Sequence, residues 1–220
     1  LDESWALFQD AIALADRLGV SSPPSQSFVF LGMSYVLMER NELDEAERCL
    51  RQSIDLGLAG GKLDHVILAY VELTRIAIAR GDLDAARTAV RHAQTALDRH
   101  PVIHITPEVD LSRVMLWIAG GDLSAATEWA DATLERVCDK PESLTEPERL
   151  ALVHIRLAQQ RPDEAYQILQ SLHDRSAATL PNNWCTCRIQ TLILLARVHE
   201  AAGRRGPALD ALSEALQIAE

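Results

Sequence analysis

The chain has 220 residues, 48% of them hydrophobic and 5% aromatic, with a formal net charge of −11. That acidic balance argues against a surface that grips phosphate backbones, which needs a positive footprint. No apolar run approaches the length of a bilayer span, and four cysteines without framework spacing point to a reducing, cytoplasmic setting.

Taken in order, the elements are expected to be helices in pairs. Residues 1–20 form a partial unit: Leu1-Asp2-Glu3-Ser4 lines up with Leu43-Asp44-Glu45-Ala46, the start of a second helix. The first helix of that pair is missing and no leader peptide opens the chain, so the sequence is expected to begin inside an array. Ser21-Ser22-Pro23-Pro24-Ser25 is a loop signal. The repeat at 25–60 follows, with helices over 26–40 and 43–58, and Gly60-Gly61-Lys62 turns into the repeat at 64–100, with helices over 64–80 and 83–98. Pro101 and Pro107 bracket the linker to the repeat at 107–139, with helices over 107–119 and 123–137. Lys140-Pro141 opens an acidic loop before the repeat at 145–178, whose first helix starts at Pro147 and whose second spans 163–175. Leu180-Pro181-Asn182-Asn183 leads into the last repeat at 184–220, with helices over 184–202 and 207–219.

The pairing rests on a recurring stretch. Gly81-Asp82-Leu83-Asp84-Ala85-Ala86 returns 40 residues later as Gly121-Asp122-Leu123-Ser124-Ala125-Ala126 and stands 40 residues earlier as Asn41-Glu42-Leu43-Asp44-Glu45-Ala46. A worn copy runs from Gln160 to Ala165, and Gly206-Pro207-Ala208 closes a last one. Repetition at this period is the mark of a solenoid, so 1–220 is expected to be a single helical-repeat domain. Gly81 and Gly121 suit the left-handed residue that ends a helix, and Asp82 and Asp122 suit the N-cap of the next. In the worn copy Pro162 takes the leucine slot, and proline is tolerated at the first helical position. The anchor alanines Ala46, Ala86, Ala126, Ala165 and Ala208 are small enough to let two helices cross closely. Fifteen residues before each anchor stands an apolar residue (Leu31, Val71, Leu111, Leu150, Ile193), and four after it another (Leu50, Val90, Ala130, Leu169, Leu212). The first helix of each hairpin therefore packs on the second, and the second on the next first.

Phe28-x-x-Leu31-Gly32-x-x-Tyr35 resembles the first-helix signature of tetratricopeptide units, although no other copy keeps the glycine or tyrosine and the period is about 40 residues, not 34. The resemblance implies an all-α fold: a right-handed superhelical solenoid of antiparallel helix hairpins.

Few residues suggest chemistry. Gly60-Gly61-Lys62-Leu63 lacks the glycine and the hydroxyl that a phosphate loop requires, since Leu56 and Leu63 occupy those places. Cys185-x-Cys187 has one intervening residue where structural zinc favours two, and no second pair. His100 and His104 have helical metal spacing, but Pro101 breaks the helix between them. No Ser, His and Asp arrangement stands out. No enzyme, cofactor or metal is expected in this segment. Trp129, three residues after Ala126, is expected in the core. By analogy with tetratricopeptide units, positions two, five and six after the first-helix marker line an inner face. In the first two hairpins that face is apolar, with Met33, Val36, Leu37, Leu73, Ile76 and Ala77. In the later three it adds Arg113, Trp117, Arg156 and His199, which suits a ligand that stacks on an aromatic and accepts hydrogen bonds from arginine. The alternative is that tight coiling buries these positions against neighbouring helices.

The Gly-Asp-Leu-Asp-Ala-Ala anchors, together with Ala208, Ala211, Leu212, Ala215, Leu216 and Ala219 in the closing Arg204–Glu220 segment, resemble the repeat region of the MalT-type, ATP-dependent LuxR-family transcriptional regulators, over essentially the whole chain. The resemblance implies a parent with a nucleotide-binding switch before the repeats and a helix-turn-helix domain after them, neither of which falls within this segment. It implies that the repeats receive a small inducer, a sugar in that family, or a regulatory protein, and relay it through the parent's other domains to ATP-driven self-association. No direct nucleic-acid or membrane contact is implied. A generic docking scaffold for a chaperone or secretion complex is the alternative; it would favour a basic two-carboxylate clamp, where this chain has scattered arginines.

Overall fold

The computed structural model describes residues 2–19, 22–138, 143–179 and 185–219, and the side chains of all of these except 173–179, 185–188 and 219. The linkers around Leu180-Pro181 and Lys140-Pro141, Trp184 and the side chains of Cys185 and Cys187 lie outside that set. The described residues hold eleven helices and no strand. They are α1 (Asp2–Leu18), α2 (Pro23–Glu39), α3 (Leu43–Gly60), α4 (Leu63–Ala79), α5 (Leu83–Arg99), α6 (Thr106–Ala119), α7 (Leu123–Arg136), α8 (Glu146–Ala158), α9 (Pro162–Thr179), α10 (Cys185–Ala201) and α11 (Arg205–Ala219). The protein is an all-α array of helical hairpins. None of the described helices is long and apolar enough to cross a membrane.

The turn chemistry is what makes each hairpin. Five residues before every anchor alanine the backbone is left-handed: Asn41 at φ 59°, Gly81 at 73°, Gly121 at 78°, Gln160 at 58° and Gly203 at 71°. After it the next helix is capped. The Asp82 carboxylate accepts from Ala85 N at 2.9 Å and Asp122 from Ala125 N at 3.1 Å. In the last copy the left-handed residue is Gly203, and Gly206 and Pro207 sit inside the first turn of α11. Pro23 and Pro24, read as loop, instead open α2: Ser22 caps the helix and shares a hydrogen-bonded box with Ser25. Proline costs nothing there, because first-turn N–H groups have no partner inside the helix.

The chain divides into two compact units, Leu1–Leu116 and Trp117–Glu220, where the repeat alone implied one stack. In the first unit, Leu31, Leu37, Ala46, Leu50, Val66 and Ile76 form one core through α2, α3 and α4. Ile67 and Val71 of α4 join Ala93 and Leu97 of α5 and Val109 of α6 in a second. In the second unit, Val153, Ala165, Leu169, Leu194 and Val198 fuse α8, α9 and α10. A second helix thus packs on its own first helix and on the next one, as the register requires. Ala46, Ala86, Ala126 and Ala165 have no exposed surface and Ala208 is 8% exposed. Eight of the ten flanking markers are buried or half-buried; only Ile193 and Leu212, in the last hairpin, are exposed.

Polar ties lie inside this packing. Ser27 Oγ donates to the Ser53 carbonyl and Ser53 Oγ to the Ser27 carbonyl, both at 2.9 Å, which joins α2 to α3 in a fully buried place. Gly32 is small because Phe8 of α1 lies over it: a Cβ there would meet the ring at 2.4 Å.

The left-handed turns yield a paired prediction. Nothing lies within 4 Å of a Cβ built at Gly121, so Gly121→Ala carries only backbone strain and lowers unfolding free energy by about 1–2 kcal/mol. Gln160→Gly relieves the same strain and raises it by roughly 0.5–1 kcal/mol. Urea unfolding checks both, and unchanged midpoints for the pair would contradict the assignment.

Candidate functional site

The positions expected to line an inner face are mostly core. Met33, Val36, Leu37, Ile76, Ala77, Leu116, Leu152, Ile155, Val198 and His199 are buried, and the remaining five members of the set are half-buried. On α4 the three positions, Leu73, Ile76 and Ala77, line a groove between α3 and α5. The position four after the marker behaves differently. Tyr35 keeps about a third of its surface exposed, and the partial desolvation of its hydroxyl, then the charges of Glu72 and Glu108, push it above its ordinary range, while Arg75 acts the opposite way. Tyr35 and Arg75 both occupy that fourth position, on α2 and α4. Glu72 is buried, pairs with Arg75 at 3.0 Å, and has its carboxyl raised chiefly by desolvation. Glu72 and Arg75 thus form a polar pair on α4, within electrostatic reach of Tyr35 on α2 and Glu108 on α6. The sequence gives no single signal for it beyond the off-pattern glutamate in an apolar helix.

Each of the four residues nominated from sequence has its own surroundings. Arg113 pairs with Asp110, one turn back on α6, and is half-buried. Trp117 is half-buried on α6, and Trp129, expected in the core, is half-buried on α7. Arg156 and His199 belong to a set of interhelical contacts in the second unit. Arg156 Nη1 donates to Gln159 Oε1 at 2.7 Å, and its Nε lies 3.2 Å from Glu164 of α9. Gln159 Nε2 in turn donates to Thr127 Oγ1 of α7 at 3.0 Å. One guanidinium thus joins α7, α8 and α9.

His199 on α10 lies against Tyr166 of α9, with ring centroids 5.2 Å apart. Arg204 stacks over the same tyrosine at 5.1 Å and lies 3.4 Å from Asp163. His199 is buried, and its Nδ1 has no hydrogen-bond partner among the described residues. Desolvation first, then the Arg204 charge, lowers its pKa, so the ring is held neutral. The arrangement offers neutral and cationic donors beside an aromatic face, with no general base paired to a nucleophile. Among the described residues, no three His, Cys, Asp or Glu side chains are placed to hold a metal. His100 caps the end of α5 and His104 lies in a turn before α6, so the two share no helix. Cys49 is half-buried and Cys138 exposed, both as free thiols.

A groove in the first unit has Leu73, Ile76 and Ala77, three of the positions expected to line an apolar inner face, on its floor, while its polar edge went unread in the sequence. It lies between α3 and α5 over α4 and has a volume of about 470 Å³. Its polar edge is built from Glu47, Arg51 and Arg80, and the pairing partners Glu47 and Arg80 are 33 residues apart, too far for any local pattern to reveal.

Helical hairpins of about forty residues, closed by left-handed turns and joined by buried alanines, define a tetratricopeptide-like repeat segment. Comparison with known proteins places it further: the model of the MalT-like TPR region matches residues 1–220, and the chain belongs to that family. It is 27% identical over 226 residues to the HTH-type transcriptional regulator MalT of Klebsiella pneumoniae (strain 342), covering 100% of this chain and 24% of that protein. The MalT regulator of Vibrio campbellii is 31% identical over 180 residues, or 80% of this chain and 19% of the relative. That of Cronobacter sakazakii is 27% identical over 221 residues, or 100% and 24%. The chain spans about a quarter of the length of these relatives, which are transcriptional regulators.

The neutral state of His199 is directly measurable. A folded pKa below the ordinary 6.5 means that folding disfavours the proton. Its contribution to stability is therefore intact above pH 6.5 and is lost as pH falls through the window beneath that value. NMR titration of the imidazole is expected to give a midpoint below 6.5, and Arg204→Gln to move it back upward. A midpoint at or above 6.5 would contradict the burial described.

Proposed function

We propose that this chain is the effector-sensing segment of a cytoplasmic bacterial transcriptional regulator. The observation that carries the reading is membership of the MalT-like TPR region family over residues 1–220, beside relatives that are HTH-type transcriptional regulators. In this reading a small inducer or a regulatory protein binds the repeat surface. Its arrival biases the parent protein toward ATP-dependent oligomerisation, and DNA is met by other domains of that parent.

The physical support lies in how the hairpins of the second unit are tied. Arg156 and Arg204 hold neighbouring helices through ion pairs to Glu164 and Asp163, and partly exposed pairs of this kind contribute only about 0–1 kcal/mol. An effector with acceptor groups competes for those guanidiniums at little cost. Because contacts in a repeat array are between neighbours, a small change at one hairpin interface adds to those beyond it. Trp117, Arg156 and His199 are the side chains we assign to the effector in this unit. Arg113 of the first unit, whose charge is met by Asp110 in its own helix, is assigned a secondary part.

Calorimetric titration with oligosaccharides and candidate regulatory proteins tests the proposal. One of them is expected to bind saturably, with Trp117→Ala and Arg156→Gln each weakening it at least tenfold while leaving the helical signal intact. A panel without any binding partner, or affinity unchanged in both variants, would contradict it.

A further inference from the structure

The groove over α4 in the first unit has a chemistry distinct from the Arg156 and His199 contacts. Its floor is apolar, made of Leu73, Ile76 and Ala77, and Ala89 of α5 extends it up one wall. At one end Tyr70 and His92 stack with ring centroids 5.1 Å apart and planes inclined by 19°. The other end lies ten residues along α4, about 15 Å away at the helical rise. There Arg51 and Arg80 converge on opposite oxygens of a single carboxylate, Glu47. Asp82 stands beside them at the head of α5. The volume of about 470 Å³ falls in the range of roughly 300–1,000 Å³ typical of small-molecule sites.

The charge balance decides the class of ligand. In a chain of net charge −11, this lining holds two guanidiniums and two carboxylates, and the exposed Asp44 pairs with Arg80 at its rim. A simple anion meets Glu47 and Asp82, and a simple cation meets Arg51 and Arg80, so neither is matched. A head group that carries both charges is. We infer that the groove between α3 and α5 binds a free α-amino acid with an apolar or aromatic side chain. Its carboxylate is held by Arg51 and Arg80, its ammonium by Glu47 and Asp82, and its side chain lies on the Leu73–Ile76–Ala77 floor toward Tyr70 and His92.

Planar guanidiniums present paired N–H donors that fit a carboxylate. The resident Glu47 carboxylate marks where such a group sits between them. Hydrogen bonds from Arg51 and then Arg80 hold the Glu47 carboxyl below its ordinary value, so it stays anionic. Glu47 and Arg80 are partly exposed, and ion pairs at such positions exchange partners at little cost. The site stands in the first unit and uses none of the residues assigned to the effector in the second.

Titration calorimetry of the 220-residue chain with L-phenylalanine and L-leucine tests this. Both are expected to bind with one-to-one stoichiometry. N-acetyl-L-phenylalanine, which lacks the ammonium, and L-phenylalaninamide, which lacks the carboxylate, are each expected to bind at least tenfold more weakly. Ala85→Trp, at an exposed position that lines the groove, is expected to abolish binding by filling it. Arg80→Gln is expected to weaken binding at least tenfold with an unchanged circular-dichroism spectrum, and Arg51→Gln takes its place if the first variant fails to fold. No heat with either amino acid at millimolar concentration overturns the inference, as does affinity that survives a blocked analogue or Ala85→Trp. Trp117→Ala leaves this binding unchanged, so the result is separable from that of the sensing proposal.

Discussion

The close crossing of two helices over a methyl group is the constraint on which this fold depends. Ala46, Ala86, Ala126 and Ala165 have no exposed surface, and each sits one turn into a second helix, where the hairpin arms are nearest. The left-handed residue five positions earlier brings the second helix back at the angle that makes this approach feasible. A larger side chain at the crossing has to push the arms apart, and tightly packed interiors resist that. Leu31 and Leu50 pack in one core with Ala46, and Val90 in one with Ala86. From this one contact follow the period, the pairing of each helix with two neighbours, and the burial of first helices on nearly all sides.

That burial governs where polar chemistry is found. A first helix has little free surface, so its charged residues are either paired within the helix, as Glu72 and Arg75 are, or placed at the hairpin ends, as Arg156 and Arg80 are. Arginines at the ends reach across to acids on adjacent helices: Arg80 to Asp44 and Glu47, Arg156 to Glu164, Arg204 to Asp163. These bridges tie hairpin to hairpin without the permanence of an apolar core. The groove over α4 arises in the same way. Second helices α3 and α5 flank α4 and leave its Leu73–Ala77 side open, with Arg80 at the end of the opening.

Much of the fold was legible because its determinants are local. Gly81 and Gly121, Asp82 and Asp122, and the anchor alanines recur within six residues of one another and name the hairpin without reference to anything distant. The worn copies were harder. Asn41 and Gln160 take a left-handed conformation that glycine would adopt freely, and only register identifies them. Pro23 and Pro24 look like a break but begin a helix, because first-turn positions need no N–H donor. The site was less legible. The inner-face assignment borrowed its register from a shorter repeat, and its positions are buried or half-buried, His199 and Arg156 included, while Leu73, Ile76 and Ala77 of the same set line the groove over α4. The groove residues Glu47 and Arg80 come from different repeats, so their meeting is a product of stacking that no short motif encodes.

A volume series at a single anchor tests the central claim most directly. Urea unfolding of the chain with glycine, alanine, valine or leucine at position 86 is expected to show a maximum at alanine. Ala86→Gly loses helix stability, about 1 kcal/mol, and Ala86→Leu loses roughly 1–3 kcal/mol to overpacking. If Ala86→Leu unfolds at the same urea concentration as the parent, the helices do not meet at that methyl group, and the account of the fold is wrong.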